Sequence, residues 1–155
     1  MNIRLAFLLT LCMLLLAPPA QAQAVRLDDS RTQVLGSALR LEWVDSVPRP
    51  GTAQLMSGSI TVHVRLDVRA WKGRNVRIYK MLEPTAGARM LVRWTGQGRL
   101  ADGQLQEGQR SLVYAGPITT DELQDVLQVT VLADGNRYNG RESLRFHFEL
   151  EEGAL

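Results

Sequence analysis

Alternation of apolar and polar residues is the clearest pattern in this chain. From Ile60 to Val68 every second residue is apolar, and the residues between them are polar or charged. A period of two is that of a β-strand with one buried face, whereas helical spacing would scatter these apolar residues around the axis. The same alternation recurs around Leu41, Val92, Val129 and Phe146.

Turn-forming residues separate these runs and set the predicted strand limits. Arg49-Pro50-Gly51-Thr52 fits a type II turn, and Asp102-Gly103 fits a tight hairpin. We predict strands over 38–45, 59–69, 75–82, 89–95, 110–116, 126–133 and 143–150, a small hairpin over 98–106, and a weaker strand near 24–28. The one helical signal is a minimal capping box, Thr119 with Glu122, which predicts a short helical turn.

Many short, half-apolar strands predict an all-β fold. We expect a single antiparallel β-sandwich of immunoglobulin-like type, with a small β-barrel as the alternative. Trp43 and Trp94 fall in the inward phase of their strands, so both are expected in the core. Lys80 falls in the apolar phase of Ile78 and Leu82, so a bulge, an edge position or a snorkelling side chain is needed there.

The first 24 residues have the pattern of a secretory signal peptide. Arg4 supplies the positive charge, the segment Leu5–Leu16 is almost entirely apolar, and Ala20-Gln21-Ala22 offers small residues for cleavage. A membrane anchor is the weaker interpretation, because this apolar run is shorter than the roughly 20 residues that span a bilayer. We therefore expect cleavage after Ala22, with Ala24 as the alternative site.

The domain organisation follows from this cleavage. Residues 1–22 are the predicted signal peptide, and residues 23–155 are one β-sandwich domain that is periplasmic or secreted. The single cysteine, Cys12, is preceded by Leu11 rather than by a small residue, so a lipoprotein signal is not predicted. The mature domain then has no disulfide, and its stability must come from its core.

Composition agrees with a folded domain and excludes some classes of function. The chain is 45% hydrophobic, 22% charged and 6% aromatic, and its formal net charge is +2. These values argue against a disordered chain and against a strongly basic nucleic-acid binder.

Catalytic and metal-binding constellations do not stand out in the sequence. His63 and His147 are the only histidines, and both lie in the outward phase of their strands. No serine has the nucleophile-elbow pattern, and there is no phosphate-cradling or dinucleotide-binding glycine motif. We therefore predict no enzymatic activity, no cofactor and no metal, and a small hydrolase that uses one of these histidines is the least favoured alternative.

Basic and acidic residues are concentrated in different segments of the chain. Residues 65–99 carry nine basic and two acidic residues, a net charge of +7, whereas residues 100–155 carry four basic and ten acidic residues, a net charge of −6. Arginine forms forked hydrogen bonds to carboxylates and phosphates, so neighbouring basic strands would present an anion-binding face. The simpler interpretation is that the two segments pair with each other within the fold. The candidate binding residues are Arg65, Arg69, Trp71, Arg74, Arg89 and Arg93.

These features favour an exported, non-enzymatic protein-interaction module of the bacterial periplasm or cell surface, such as a subunit or accessory of a surface assembly. The export signal and strand pattern are similar in general terms to those of exported bacterial sandwich domains, and no motif ties the chain to one family. The expected partner is another protein, or a second copy bound through the opposed charge segments. The alternative is a domain that binds carbohydrate or an anionic polymer through Trp71 and the arginines.

Overall fold

The structure, a computed structural model, describes residues 23–36, 39–44, 54–84, 89–138, 140 and 144–153. The predicted signal peptide and the predicted turn over 49–52 lie outside the described residues. Within these residues the chain forms ten strands and one 3₁₀ turn: β1 (Val25–Arg26), β2 (Gln33–Leu35), β3 (Glu42–Trp43), β4 (Leu55–Asp67), the 3₁₀ turn (Arg69–Trp71), β5 (Asn75–Leu82), β6 (Met90–Gly96), β7 (Gly103–Gln106), β8 (Arg110–Pro117), β9 (Glu122–Asp134) and β10 (Phe146–Glu152). Across the same residues, no helix reaches the length and apolarity needed to cross a membrane.

The strands form two antiparallel sheets. The small sheet has the order β1-β10-β5-β8, and the large sheet has the order β2-β4-β9-β6-β7, with β3 also paired to β4. Neither order returns to its first strand, so each sheet has two edges within the described residues. The all-β antiparallel prediction is therefore confirmed, and the closed-barrel alternative is wrong.

The centre of the large sheet is the pair formed by β4 and β9. Their register runs without interruption from Leu55↔Asp134 to Asp67↔Glu122. Alternate side chains of β4 point to the core, and Val62, Val64 and Leu66 are almost completely buried. The period of two in the sequence is thus the burial pattern of the strand, as one-sided burial of a pleated sheet requires.

The core lies between the two sheets. It contains Val76 and Ile78 of the small sheet and Leu127 and Val129 of the large sheet, each with no exposed surface. Trp94 on β6 is also buried, as predicted, and its indole N–H donates to the Ala101 carbonyl at 2.9 Å.

The small sheet has one irregularity. The pairing of β5 with β8 shifts register between Ile78 and Tyr79, because Ile78 is opposite Tyr114 while Tyr79 is opposite Leu112. Val113 is therefore an extra residue in β8, which is a β-bulge.

The tight hairpin predicted at Asp102-Gly103 is wrong. Strand β6 ends at Gly96 and β7 begins at Gly103, so residues 97–102 form the connection between them. The Asp102 carboxylate accepts a hydrogen bond from the Gly96 N–H at 2.7 Å, which ties one end of this connection to the other.

A buried carboxylate on the neighbouring strand holds the same connection. Asp125 of β9 is buried, and its two oxygens accept hydrogen bonds from the N–H groups of Gln97 at 3.1 Å and Leu100 at 2.7 Å. A Cβ atom added at Gly98 would lie 3.0 Å from the Asp125 carboxylate, so the loop approaches it closely. Asp125 therefore sits in an inward position as a loop anchor.

Two further predictions are corrected. The helical turn expected at Thr119 and Glu122 is not formed, because Glu122 is the first residue of β9. Strand β2 was not predicted from the sequence, and of the strand predicted over 38–45 the described residues 39–44 form a strand only at Glu42–Trp43.

Candidate functional site

The two arginines predicted to share a sheet face are far apart. Arg65 on β4 and Arg93 on β6 are both exposed, but β9 lies between their strands. Arg93 is aligned across β9 with Thr130 and, beyond it, Ser59 of β4. Ser59 is six residues from Arg65, a separation of about 20 Å at 3.4 Å per residue. The structure therefore does not bring Arg65 and Arg93 into one cluster.

The other predicted site residues lie outside these strands. Arg69 and Trp71 are the ends of the 3₁₀ turn that follows β4, and Arg89 is exposed immediately before β6. Trp71 is half-buried and packs against the core. The Arg74 guanidinium lies 2.7 Å from the Glu152 carboxylate.

The basic and acidic segments meet within the fold. Lys72 donates to the Asp121 carboxylate at 2.8 Å, and this hydrogen bond lowers the pKa of Asp121 from its usual range. Both Lys72–Asp121 and Arg74–Glu152 connect the basic segment to the acidic one. These pairs are exposed, so each contributes little to stability.

The two histidines lie in different sheets. His63 is half-buried on the outer face of β4, beside a shallow polar depression of about 340 Å³ that Arg65, Gln97 and Gln124 also line. His147 of β10 has its Nε2 atom 3.3 Å from Glu149. No group of three metal-ligating side chains occurs in the part of the chain that the structure describes.

Apolar side chains are exposed along one edge of the large sheet. We call this surface the β2–β3 edge. It consists of Val34, Leu35, Trp43, Val44 and Leu55, which are between 47% and 55% exposed. These residues are five of the seven large apolar side chains that are exposed in the described chain, so the exposed apolar surface is concentrated at this edge.

The exposure of Val34 and Trp43 within the β2–β3 edge follows from the different widths of the two sheets. Val34 is opposite Val62, and Trp43 is opposite Met56, so both side chains point to the inner face of the large sheet. The small sheet has four strands and the large sheet six, and the inner face near β2 and β3 is left partly open. The inward phase predicted for Trp43 is thus correct, but its predicted burial is wrong: Trp43 is 51% exposed.

Lys80 is the most unusual residue of the core. Its side chain is 1% exposed, and its amine has no hydrogen-bond partner among the described residues. The Nζ atom lies 4.2 Å from the centroid of the Trp94 ring and 4.6 Å from that of the Phe146 ring. Burial lowers the pKa of Lys80 to about 7, because the charged amine loses its hydration.

An apolar cavity shares Phe146 with the surroundings of this amine, although Lys80 itself is not among its described lining residues. Its volume is about 450 Å³, and Phe146, which contacts the Lys80 amine, is part of its wall. Among the lining residues that the structure describes, the others are apolar or glycine, apart from Tyr138. They include Val34 of the β2–β3 edge together with Leu39, Leu41, Ile60, Met90 and Leu144.

Two comparisons with known proteins were informative only by finding no match. No family model matches the chain, and no curated protein matches it significantly. The geometry of the described residues therefore carries the functional argument.

The β2–β3 edge and the apolar cavity were not predicted as candidate sites from the sequence. The phase of Lys80 marked it as out of place, which was the available signal for the buried amine. The exposure of Val34 and Trp43 had no signal in the sequence, because it depends on how far the opposite sheet extends.

Proposed function

We propose that this chain is an exported, non-enzymatic interaction module of immunoglobulin-like type, which binds another protein of the cell envelope through the β2–β3 edge. The observation that carries this proposal is the concentration of exposed apolar side chains at that edge. Singly exposed apolar residues are ordinary on protein surfaces, whereas several of them gathered along one sheet edge are more typical of an interaction site.

The chemistry of the edge favours an extended segment as the partner's binding element. Strands β2 and β3 are only three and two residues long, and they border the thirteen-residue strand β4. A partner strand added at such an edge gains main-chain hydrogen bonds, and its alternate side chains pack on the apolar residues. Val34 and Leu35 point to opposite faces of the sheet, so an amphipathic strand could use apolar residues on either face.

Charge is a weaker basis for partner binding than the sequence suggested. The pairs Lys72–Asp121 and Arg74–Glu152 already join the two charged segments within one molecule. A second copy bound through opposed charges would have to compete with these contacts. The proposal therefore places the partner on the apolar edge, and the six predicted residues Arg65, Arg69, Trp71, Arg74, Arg89 and Arg93 remain a separate prediction.

Site-specific crosslinking in the intact cell envelope tests this assignment. A photo-reactive amino acid at Leu35 is expected to capture one protein in good yield, and Val44→Asp in the same chain is expected to abolish that adduct. Leu112 is the matched control, because it is similarly exposed at 45% but lies on β8 of the small sheet. A crosslinker at Leu112 should not yield the adduct.

Two outcomes would contradict the proposal. Equal adducts from Leu35 and Leu112 would mean that the edge has no special role. An adduct whose mass is that of two copies of this chain would assign the edge to self-association instead, and sedimentation at several concentrations would then show a dimer.

A further inference from the structure

The shallow polar depression on the outer face of the large sheet is formed by three segments. Its lining residues come from β4, from β9 and from the start of the β6–β7 connection, and the structure describes each of these segments without a gap. His63 is opposite Val126 and Arg65 is opposite Gln124, so these four side chains share the outer face. Gln97 lines the same depression from the other side of β9. A guanidinium, an imidazole and two carboxamides therefore surround a volume of about 340 Å³.

The guanidinium of Arg65 has no ion-pair partner among the described residues. Apart from the pairing of β4 with its neighbours, the hydrogen bonds of Arg65 are those that its backbone N–H and carbonyl form with the Thr32 hydroxyl, at 3.1 and 3.4 Å. The Arg65 side chain is exposed and lines the depression, so a ligand in the depression can reach it.

The acidic side chains near the depression already have partners. Asp125 lines it but is only 6% exposed, and its oxygens accept hydrogen bonds from backbone N–H groups. Glu122, further along the outer face, pairs with Arg31 at 3.3 Å and accepts a hydrogen bond from the Gln124 amide. Asp67, opposite Glu122, accepts a backbone N–H of the 3₁₀ turn. Among its described lining residues, the depression therefore offers an unpaired positive charge and no exposed negative charge.

The unpaired groups indicate the chemistry of the ligand. A guanidinium forms forked hydrogen bonds to a carboxylate, and a single fixed positive charge matches a monoanion better than a doubly charged phosphate. The Gln97 carboxamide can donate and accept, and Gln124, whose amide donates to Glu122, keeps its carbonyl oxygen as an acceptor. Hydroxyl groups satisfy both functions. Because the depression is shallow, part of the ligand stays in water, which favours a polar body over an aliphatic chain.

We propose that the depression binds an acidic sugar, whose carboxylate pairs with Arg65 and whose hydroxyl groups hydrogen-bond to Gln97 and Gln124. A hexuronate combines these groups in one small ring. The volume of about 340 Å³ lies at the lower end of the range of small-molecule sites, as a single sugar residue requires. This site is separate from the β2–β3 edge and adds a small-molecule ligand to the proposed protein partner.

NMR titration of the isotope-labelled protein with D-glucuronate, D-glucose and acetate tests the proposal. Glucose lacks the carboxylate, and acetate lacks the ring with its hydroxyl groups. We expect glucuronate to bind at least about tenfold more tightly than either compound and to shift the side-chain amide signals of Gln97 and Gln124. Equal binding of acetate would show that the sugar ring contributes nothing, and equal binding of glucose would show the same for the carboxylate. Either result overturns the proposal.

Arg65→Gln and Arg93→Gln form a matched pair of variants. Both arginines are exposed on the outer face, but they are about 20 Å apart and Arg93 does not line the depression. Arg65→Gln should remove the preference for glucuronate over glucose and preserve the fold, because the hydrogen bonds to Thr32 use only the backbone of Arg65. Arg93→Gln should keep the full preference. Equal losses in the two variants would indicate general attraction to a basic surface and would overturn the proposal.

Gln97→Leu tests the recognition of the hydroxyl groups. The backbone N–H of residue 97 keeps its hydrogen bonds to Asp125 and to the Val126 carbonyl, so the connection should keep its conformation. Glucuronate should bind this variant several-fold more weakly, whereas the affinity for acetate should not change. Undiminished binding of glucuronate would place the sugar ring elsewhere and contradict the assignment. Titration of the unaltered protein without saturable shifts would overturn it as well.

Discussion

The Lys80 amine lies 4.2 Å from the centroid of the Trp94 ring, across the interface between the two sheets. Lys80 belongs to β5 of the small sheet and Trp94 to β6 of the large sheet, so this contact joins the two layers of the core. Trp94 has a second neighbour: a Cβ atom added at Gly103 would lie 2.6 Å from its ring. The position of the indole is therefore restricted on two sides, by Lys80 and by Gly103.

Lys80 should make stability depend on pH. Its pKa is lowered from 10.5 to about 7 in the fold, which corresponds to roughly 5 kcal/mol of unfavourable interaction with the charged form. Between pH 7 and pH 10.5 the unfolded chain holds this proton and the folded chain does not, so stability rises with pH. Below pH 7 both states are protonated, and the contribution is constant at its most unfavourable value. Urea unfolding at pH 6, 8 and 9.5 measures the slope.

Lys80→Met should remove that slope and stabilise the fold. Replacing a buried charge by an apolar side chain of similar length is expected to increase the free energy of unfolding by about 2–4 kcal/mol at pH 6. The gain should shrink as the pH approaches 10, where the amine of the unaltered protein is neutral in the fold. A variant that is less stable than the parent at pH 6 would mean that the aromatic contacts outweigh the loss of hydration.

Trp94 and Trp43 should respond differently to truncation. Trp94→Ala leaves a cavity in the core and should destabilise the fold by about 3–5 kcal/mol. Trp43 is half exposed, so Trp43→Ala should cost about 1 kcal/mol. Denaturant unfolding of both variants compares them directly, and similar losses would argue that Trp43 is buried in solution.

Asp125 should be essential to the connection between β6 and β7. Asp125→Ala leaves the Leu100 N–H without its acceptor, whereas the Gln97 N–H keeps the Val126 carbonyl at 3.1 Å, and we expect a loss of about 2 kcal/mol. Asp125→Asn keeps one acceptor oxygen and should lose less. Amide hydrogen exchange at Leu100 gives the local readout, and unchanged protection of this amide in Asp125→Ala would show that the carboxylate does not hold the loop.

A side chain at Gly103 should destabilise the fold. The added methyl group of Gly103→Ala would press on the Trp94 ring, so a loss of about 1–3 kcal/mol is expected. Gly153→Ala is the matched control, because a Cβ atom there has no neighbour within 4 Å. Its effect should stay within about 0.5 kcal/mol. Equal effects of the two changes on thermal unfolding would contradict the close packing of Gly103 against Trp94.

The alternating residues from Ile60 to Val68 were sufficient to predict a strand and its buried face. Burial of one face of a pleated strand imposes a period of two directly on the sequence, so this part of the fold was readable without a structure. The burial of Trp94 followed from the same phase argument. Lys80 could be identified as an exception, although its aromatic neighbours come from β6 and β10 and were not predictable from its own strand.

Long-range relationships decided the rest. Whether Arg65 and Arg93 share a cluster depends on the strand order, which places β9 between them. Whether Trp43 is buried depends on the width of the opposite sheet, and Asp125 acts as an anchor because a loop from another strand folds over it. By itself, the sequence determined which residues alternate and therefore the strand class of the fold, because side-chain direction in a strand is local. Only the tertiary structure decided which strands are neighbours and which faces are covered, because those are properties of segments distant in the chain.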